Sequence, residues 1–352
     1  MSTKQWMIYG ANGYTGQLIA REAVQQGMKP LLAGRSAAKL APLAEQLACD
    51  YRSFSLATVT EVASQLEDVA LVLHCAGPFS ATSAPMVEAC LASGTYYLDI
   101  TGEIEVFEAI HSFSERAKAA GIVLCPGVGF DVIPTDCVAA SLKTLLPDAT
   151  YLALGFESLS GFSPGTAKTA IEGLGQGGRV RQDGQIISVP FAYRVRPVDF
   201  GNGEKRAVTI PWGDVATAFY TTGIPNIETY IPASSRMIDW MKPMNSLRPL
   251  LKIKLLQQVV KQLIGYRVKG PEVDKRTQTP TYIWGEVSNA SGAKKVARIQ
   301  VANGYDVTRY GAVAIAAKVL NTDFAGGSYT PSQLMGANFI ASLPGSSEFI
   351  FT

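Results

Sequence analysis

Two histidines, His74 and His111, are all that this 352-residue chain contains, and its five cysteines lie scattered without C-x-x-C spacing. A zinc site needs three or four such ligands at close intervals, so no metal is expected. An odd number of dispersed cysteines reads as buried, reduced thiols of a cytoplasmic protein rather than as a disulfide framework. No apolar run is long enough to cross a bilayer, and Met1 to Lys4 lead straight into an apolar strand, so no secretory signal is expected either. The formal charge of +2 makes no electrostatic case for nucleic acid, which is not expected as a partner. Repeats and low-complexity tracts are absent. What remains is ordinary globular composition, 47% apolar and 17% charged, over a length sufficient for two domains with cores of their own.

Against these absences one stretch stands out. The apolar run Trp6 to Tyr9 stops at Gly10, and Gly10-Ala11-Asn12-Gly13-Tyr14-Thr15-Gly16 places a glycine at every third position before an amphipathic segment, Leu18 to Val24. Strand, tight turn and helix start in that order form a dinucleotide cradle. Glycine lets the backbone turn sharply and lets a phosphate approach, and the helix N-terminus offers free N–H groups and a positive dipole end to a pyrophosphate. A second strand, Pro30 to Ala33, ends in Gly34-Arg35-Ser36. An acidic residue there would accept the ribose 2′-hydroxyl of NAD, whereas a guanidinium grips a 2′-phosphate through paired hydrogen bonds. The expected cofactor is NADP(H). The competing reading makes Arg35 a solvated loop residue before the helix Ala37 to Leu47.

As far as residue 146 strands alternate with helices: Tyr51 to Ser55, Val59 to Leu66, Val69 to Cys75, Ala84 to Ser93, Tyr96 to Asp99, Ile104 to Ala120, Ile122 to Cys125, and Ile133 to Leu146. The alternation predicts an α/β fold, a Rossmann-type doubly wound parallel sheet whose continuous apolar strands are buried on both faces. Ligands of such sheets lie outside the carboxyl ends of the strands. Those ends are Cys75-Ala76-Gly77-Pro78-Phe79, which completes the cofactor set, then Asp99-Ile100-Thr101-Gly102-Glu103 and Pro126-Gly127-Val128-Gly129-Phe130-Asp131. From Asp148 the composition changes to strand-like runs bounded by Gly and Pro: Tyr151 to Phe156, Ile186 to Ala192, Ala207 to Ile210, Glu228 to Ile231, Thr281 to Glu286 and Val296 to Ala302. Val307 to Leu320 is a helix.

The motifs GANGYTG, AGRS, LVLHCAGPF, GTYYLDITGE and PGVGFDVIPTD, followed by SPGTAKTA, GPEVDKR, YIWGE and NGYDVTRYGAVAIAAKVL, resemble those of the saccharopine dehydrogenase-like oxidoreductases. The nearest branch is that of the trans-acting enoyl reductases, NADPH-dependent enzymes of acyl and polyketide lipids. The resemblance implies a Rossmann domain over 1–131, a second α+β domain built on a mixed sheet over 132–302, and a C-terminal helical segment, 303–352, that returns to the first domain. It implies a homodimer and a small-molecule or acyl-lipid substrate, and leaves the reaction between an activated C=C bond and an imine or carbonyl of an amino-acid-type substrate. A binding protein without turnover stays open, because no tyrosine is followed four positions on by lysine; Tyr305 with Arg309 comes nearest.

Candidate proton donors therefore come from the strand ends. Tyr97, Asp99 and Asp131 are the expected catalytic residues, with Thr101, Glu103 and Asp136 beside them. Burial raises a carboxyl pKa toward useful values, although an acid at a strand end also serves to cap the next helix. His74 is expected to be packed and neutral, and His111 to lie on the surface. Ser163-Pro164-Gly165-Thr166, with Lys168, opens a helix whose amides suit a substrate carboxylate or phosphate. Between Arg236 and Lys269 eight basic residues face one acid, a net +7 within a chain totalling +2, so the remainder carries −5. The stretch Leu250 to Ile264 is amphipathic as well. It reads either as a core-facing helix with a solvated basic back or as a contact for an anionic membrane surface, acidic lipid or acyl-carrier protein, making the protein membrane-peripheral.

Overall fold

The computed structural model describes residues 5–158, 177–251 and 279–352. The Ser163 to Thr166 motif, Lys168, nearly all of the amphipathic stretch Leu250 to Ile264 and the GPEVDKR motif lie outside the described residues. The chain divides into two compact units, Met1–Ile133 with Tyr305–Gly336, and Pro134–Gly304 with Ala337–Thr352.

The first unit is built on strands β1 (Gln5–Tyr9), β2 (Leu31–Gly34), β3 (Tyr51–Ser53), β4 (Val69–His74), β5 (Tyr96–Asp99), β6 (Val123–Cys125) and β15 (Gly327–Ser328). They pair in the order β15-β6-β5-β4-β1-β2-β3, every neighbour parallel. Helices α1 (Tyr14–Gln25), α2 (Ala37–Leu47), α3 (Val59–Ser64), α4 (Phe79–Ser93), α5 (Ile104–Ser112) and α6 (Ser114–Ala120) connect them. The central strands are largely apolar because both faces are covered: Leu71, Val72 and Leu73 of β4 are all 0% exposed. The strand order reverses between β1 and β4, which opens a crevice at their carboxyl ends.

Two expectations change in detail. α4 begins at Phe79, five residues before the expected Ala84, and carries Pro85 inside it; a proline that marks a helix start in sequence sits here within the second turn. The expected helix Ile104 to Ala120 divides at Phe113, whose ψ of 0° leaves helical geometry where its ring packs against the core.

The second unit holds a mixed sheet in the order β10-β11-β12-β7-β13-β14-β16, with β8 and β9 attached at β12. Its strands are β7 (Tyr151–Ser158), β8 (Gly178–Gln182), β9 (Gln185–Val189), β10 (Val195–Asp199), β11 (Glu204–Ile210), β12 (Asn226–Pro232), β13 (Thr281–Ser288), β14 (Lys294–Val301) and β16 (Ile350–Phe351). Among the described residues only β7 and β12 of this sheet run parallel. One face packs on α7 (Ile133–Leu145), where Gly285 leaves room for Val138 and Leu142. Helices α8 (Asp214–Thr222) and α9 (Ser235–Leu251) complete the unit's larger elements. The sheet is strongly curled. β10 and β13 stand four places apart, about 19 Å in a flat sheet, yet Arg196 Nη2 of β10 lies 2.9 and 3.0 Å from the two carboxylate oxygens of Glu286 on β13.

The C-terminal segment does not return to the first unit as a whole, as 303–352 was expected to do. Helix α10 (Gly304–Leu320) and β15 belong there: Arg309 binds Glu22 of α1 at 2.8 Å and Asp306 at 2.7 Å. Ala337–Thr352 joins the second unit instead, because β16 pairs antiparallel with β14 and completes its edge.

Candidate functional site

A cleft of about 240 Å³ opens at the carboxyl ends of β1, β2 and β4, lined by Tyr9, Gly10, Asn12, Gly13, Gly34, Arg35, Ser36, Lys39, Cys75, Ala76 and Gly77. Its floor is the glycine turn. Gly10 has φ +83°, and a Cβ there would stand 2.8 Å from the amide nitrogen of Ala76; a Cβ on Gly16 would strike the Gly10 carbonyl at 2.4 Å. These glycines let the turn fold against β4 and let α1 start on top of it. Gly13, the N-cap of α1, supplies no side-chain hydrogen bond, which leaves the helix start open to an anion from outside.

The tip of β2 forms the second wall. Arg35 and Lys39 are exposed, and Ser36, the N-cap of α2, makes no capping bond. Elsewhere in this unit Arg52, Arg116 and Arg309 are each spent on a carboxylate, Asp68, Glu88 and Glu22. Arg35 and Lys39 make no such pair among the described residues. Burial pushes the Tyr9 phenol up while the Arg35 charge pulls it down, which places the guanidinium beside the cleft wall. Two unspent cations and a hydroxyl in the first turn of a helix fit a 2′-phosphate; a carboxylate at this tip would repel it.

The third wall is the loop after β4. His74 is fully buried, and its Nε2 lies 3.0 Å from Thr82 Oγ1, whose own proton goes to the Ala76 carbonyl at 2.7 Å. Burial pushes this imidazole down to about 3, so it is neutral and packed, as expected. The Glu103 carboxylate accepts from the amides of Phe79 and Ser80 at 2.9 and 2.8 Å, capping α4. Burial raises the Cys75 thiol far above its ordinary range, so no thiolate is on offer. His111 is not a surface residue: it is 8% exposed, with Nδ1 2.8 Å from Ser328 Oγ of β15.

Of the residues expected to hold cofactor, Gly10, Asn12, Gly13, Gly34, Arg35, Ser36, Cys75, Ala76 and Gly77 line the cleft, whereas Ala11, Tyr14, Thr15, Gly16, Pro78 and Phe79 do not. Ala11 and Phe79 are buried in the core, and Gly16 packs against the turn itself. Tyr9 and Lys39 line it without having been singled out. Lys39, four residues after Arg35 and in the first turn of α2, is a signal that helical spacing contains.

The expected proton donors are arranged differently from the expectation. Asp99 Oδ1 accepts from the amides of Thr101 and Gly127, both at 2.9 Å, and Oδ2 accepts from the Tyr97 hydroxyl at 2.7 Å. Both residues are 0% exposed, and neither lines the cleft. Their geometry is that of a clamp on the ends of β5 and β6. Burial drives the Asp99 carboxyl up to about 6, outweighing the three bonds that favour its ionised form. Asp131 is the least buried of the three, only partly covered, its carboxylate seated where a Cβ on Gly102 would lie 2.6 Å away, and burial of that carboxylate pushes it up to about 6. Asp136 lies in the second unit, where the Thr221 hydroxyl donates to it.

The second unit has a cavity of its own, about 330 Å³, at one end of the curled sheet. Its cations are paired: Arg194 with Glu228 at 3.2 Å, Arg196 with Glu286 at 2.9 Å and Lys294 with Glu286 at 4.0 Å. Among the described residues no group of three or more histidine, cysteine, aspartate or glutamate side chains is placed to hold a metal ion.

A parallel sheet in the order 3-2-1-4-5-6, with a glycine turn at the reversal and a cationic β2 tip, defines a dinucleotide-binding protein of the Rossmann class. Residues 6–125 match the family model of the saccharopine dehydrogenase NADP binding domain, which marks that stretch as NADP-binding. Relatives include saccharopine dehydrogenase-like oxidoreductases of Rattus norvegicus, 30% identical over 51% of this chain and 48% of the relative, and of Mus musculus, 31% identical over 50% and 47%. A putative trans-acting enoyl reductase of Mycobacterium tuberculosis is 29% identical over 48% of this chain and 43% of its own length. The matches thus span about half the length of these relatives. Apo saccharopine dehydrogenase (L-Glu forming) from Saccharomyces cerevisiae aligns over 99% of this chain and 100% of its own, with a TM-score of 0.61 at 10% identity, a likeness of fold.

Proposed function

We propose that the protein is an NADPH-dependent oxidoreductase that reduces an activated C=C bond of an acyl or polyketide-like lipid. The observation that carries the NADPH half is the β2 tip, where Arg35, Ser36 and Lys39 meet at the cleft with no carboxylate to neutralise them. The glycine turn would hold the pyrophosphate, and the 75–77 backbone would border the rest of the dinucleotide. When bound, NADPH supplies the hydride. The protein's own task is then to place the acceptor carbon and hold a proton for its neighbour. Asp131, partly accessible and shifted to about 6, keeps a usable share of its protons near neutral pH. Asp99 and Tyr97 are positioning residues that fix the strand ends on either side of it. The lipid half of the reading is supported by the similarity to the mycobacterial enoyl reductase.

A second reading, reduction of an imine or carbonyl on an amino-acid-type substrate, is favoured by the shared fold with saccharopine dehydrogenase. Following NADPH oxidation at 340 nm with 2-enoyl thioesters on one side, and with 2-oxo acids plus amines on the other, separates the two. Turnover of enoyl thioesters alone supports the first reading. Turnover of the oxo acids alone replaces it with the second, and tight NADPH binding with no turnover of either class favours a binding protein.

A further inference from the structure

Helix α9 turns two large apolar side chains outward. Its inner side is fixed by Ile238, 1% exposed, and by Asn245, which bonds both the amide and the carbonyl of Phe191 at 2.7 and 3.2 Å. Met237 and Trp240, three residues apart and hence on one face, are 41% and 73% exposed. Trp240 is the most exposed large hydrophobic side chain among the described residues, whereas Trp6 and Trp284 are buried at 6% and 2%. Around the stripe Arg236 is exposed, Arg206 reaches Ser235 Oγ at the first turn of α9, 2.9 Å away, and the acid Asp239 is exposed next to Trp240. The same helix opens the stretch 236–269 that concentrates a net +7 in a chain whose remainder is −5.

We propose that α9 docks on the surface of an anionic phospholipid bilayer, with Met237 and Trp240 at the boundary between headgroups and acyl chains and the basic side chains among the lipid phosphates. An indole prefers that boundary because its ring is apolar and its N–H can stay hydrated. Two side chains on one convex helix fall far short of the roughly 800 Å² per partner that a stable protein interface buries. They suffice for an interfacial helix whose remaining affinity is electrostatic and needs no shape complementarity. No helix among the described residues is long and apolar enough to cross a membrane, so the contact is peripheral. The proposal does not depend on the reduction proposed above.

The test is co-sedimentation of the full chain with phosphatidylcholine vesicles and with vesicles containing equal parts phosphatidylglycerol, at low salt and at high salt. Binding to the phosphatidylglycerol vesicles alone is expected, with loss at high salt and a blue shift of tryptophan emission that Trp240→Phe removes. Trp240→Ser should lower the partition coefficient by roughly tenfold while leaving NADPH binding intact, which shows the variant folded. Three results would overturn the proposal: no sedimentation with anionic vesicles at low salt, sedimentation that Trp240→Ser leaves unchanged, or a Trp240 already shielded from aqueous acrylamide without vesicles. Retention on an acidic acyl-carrier protein without vesicle binding would assign the surface to protein docking and likewise overturn it.

Discussion

The two cavities treat charge in opposite ways. In the cleft of the first unit the cations Arg35 and Lys39 are unspent, and the acids nearby are consumed by the protein's own backbone and hydroxyl groups: Glu103 by the start of α4, Asp99 by Thr101, Gly127 and Tyr97. In the cavity of the second unit every cation already has a carboxylate within 4.0 Å, Arg196 and Lys294 sharing Glu286, and the Arg196–Glu286 pair ties β10 across the curled sheet to β13. A cavity whose charges are left over asks for a ligand that brings the missing sign. A cavity whose cations are already held by the fold's own carboxylates is the seam of a fold.

The contrast can be broken from either side. The largest effect is expected at the turn: Gly10→Ala puts a Cβ against backbone at 2.8 Å with φ +83°, and should abolish measurable NADPH binding and lower stability by about 2–4 kcal/mol. Calorimetric titration and thermal denaturation read both. Arg35→Ala should weaken NADPH by about 10- to 100-fold, the worth of one or two charge-assisted hydrogen bonds, and leave NADH nearly unchanged. In the second unit Arg196→Ala should do the reverse, leaving NADPH affinity alone and costing about 1–3 kcal/mol in denaturant unfolding, because Glu286, 13% exposed, loses its nearer partner and keeps only Lys294 at 4.0 Å.

A pH series sharpens the account of the acids. Asp99 has its pKa raised from 3.8 to about 6 in the folded protein, so between those values the native state holds the proton more tightly than the unfolded chain. Stability from this group is full below about pH 4 and is lost as pH rises through 6, a change of roughly 3 kcal/mol for two units at a fully buried site. Asp99→Asn keeps an acceptor for the two amides and should flatten that slope. An effect on rate is expected as well: activity should decline as pH climbs past about 6, where Asp131 gives up its proton, and Asp131→Asn should lower kcat about 100-fold and remove the pH dependence.

The first unit was legible because its signals are local. The glycine turn, the Arg35-Ser36 tip and strands such as Val69 to His74 each announce themselves within ten residues, and a parallel sheet leaves its order to the handedness of the crossovers. Lys39 escaped because the reading stopped at the strand tip rather than following the helix one turn further. The clamp of Asp99 and Tyr97 is hidden for a different reason: two residues apart on one strand, they face the same way and bond each other, and sequence does not say whether that side is cleft or core. The second unit was harder. Pro197 hid β10, a proline being acceptable there because the strand lies at the sheet edge. β15 and β16 are two residues each and exist only through the neighbours they pair with, so nothing local in the sequence divides the 303–352 segment that the family resemblance assigns to one unit.

The most direct measurement is a pair of calorimetric titrations, NADPH and NADH against the wild-type chain and Arg35→Ala. The account predicts a clear preference for NADPH in the wild type that the substitution erases. Equal affinity for the two coenzymes, or a preference for NADH that Arg35→Ala leaves untouched, would contradict the claim that the unspent cations at the β2 tip receive a phosphate.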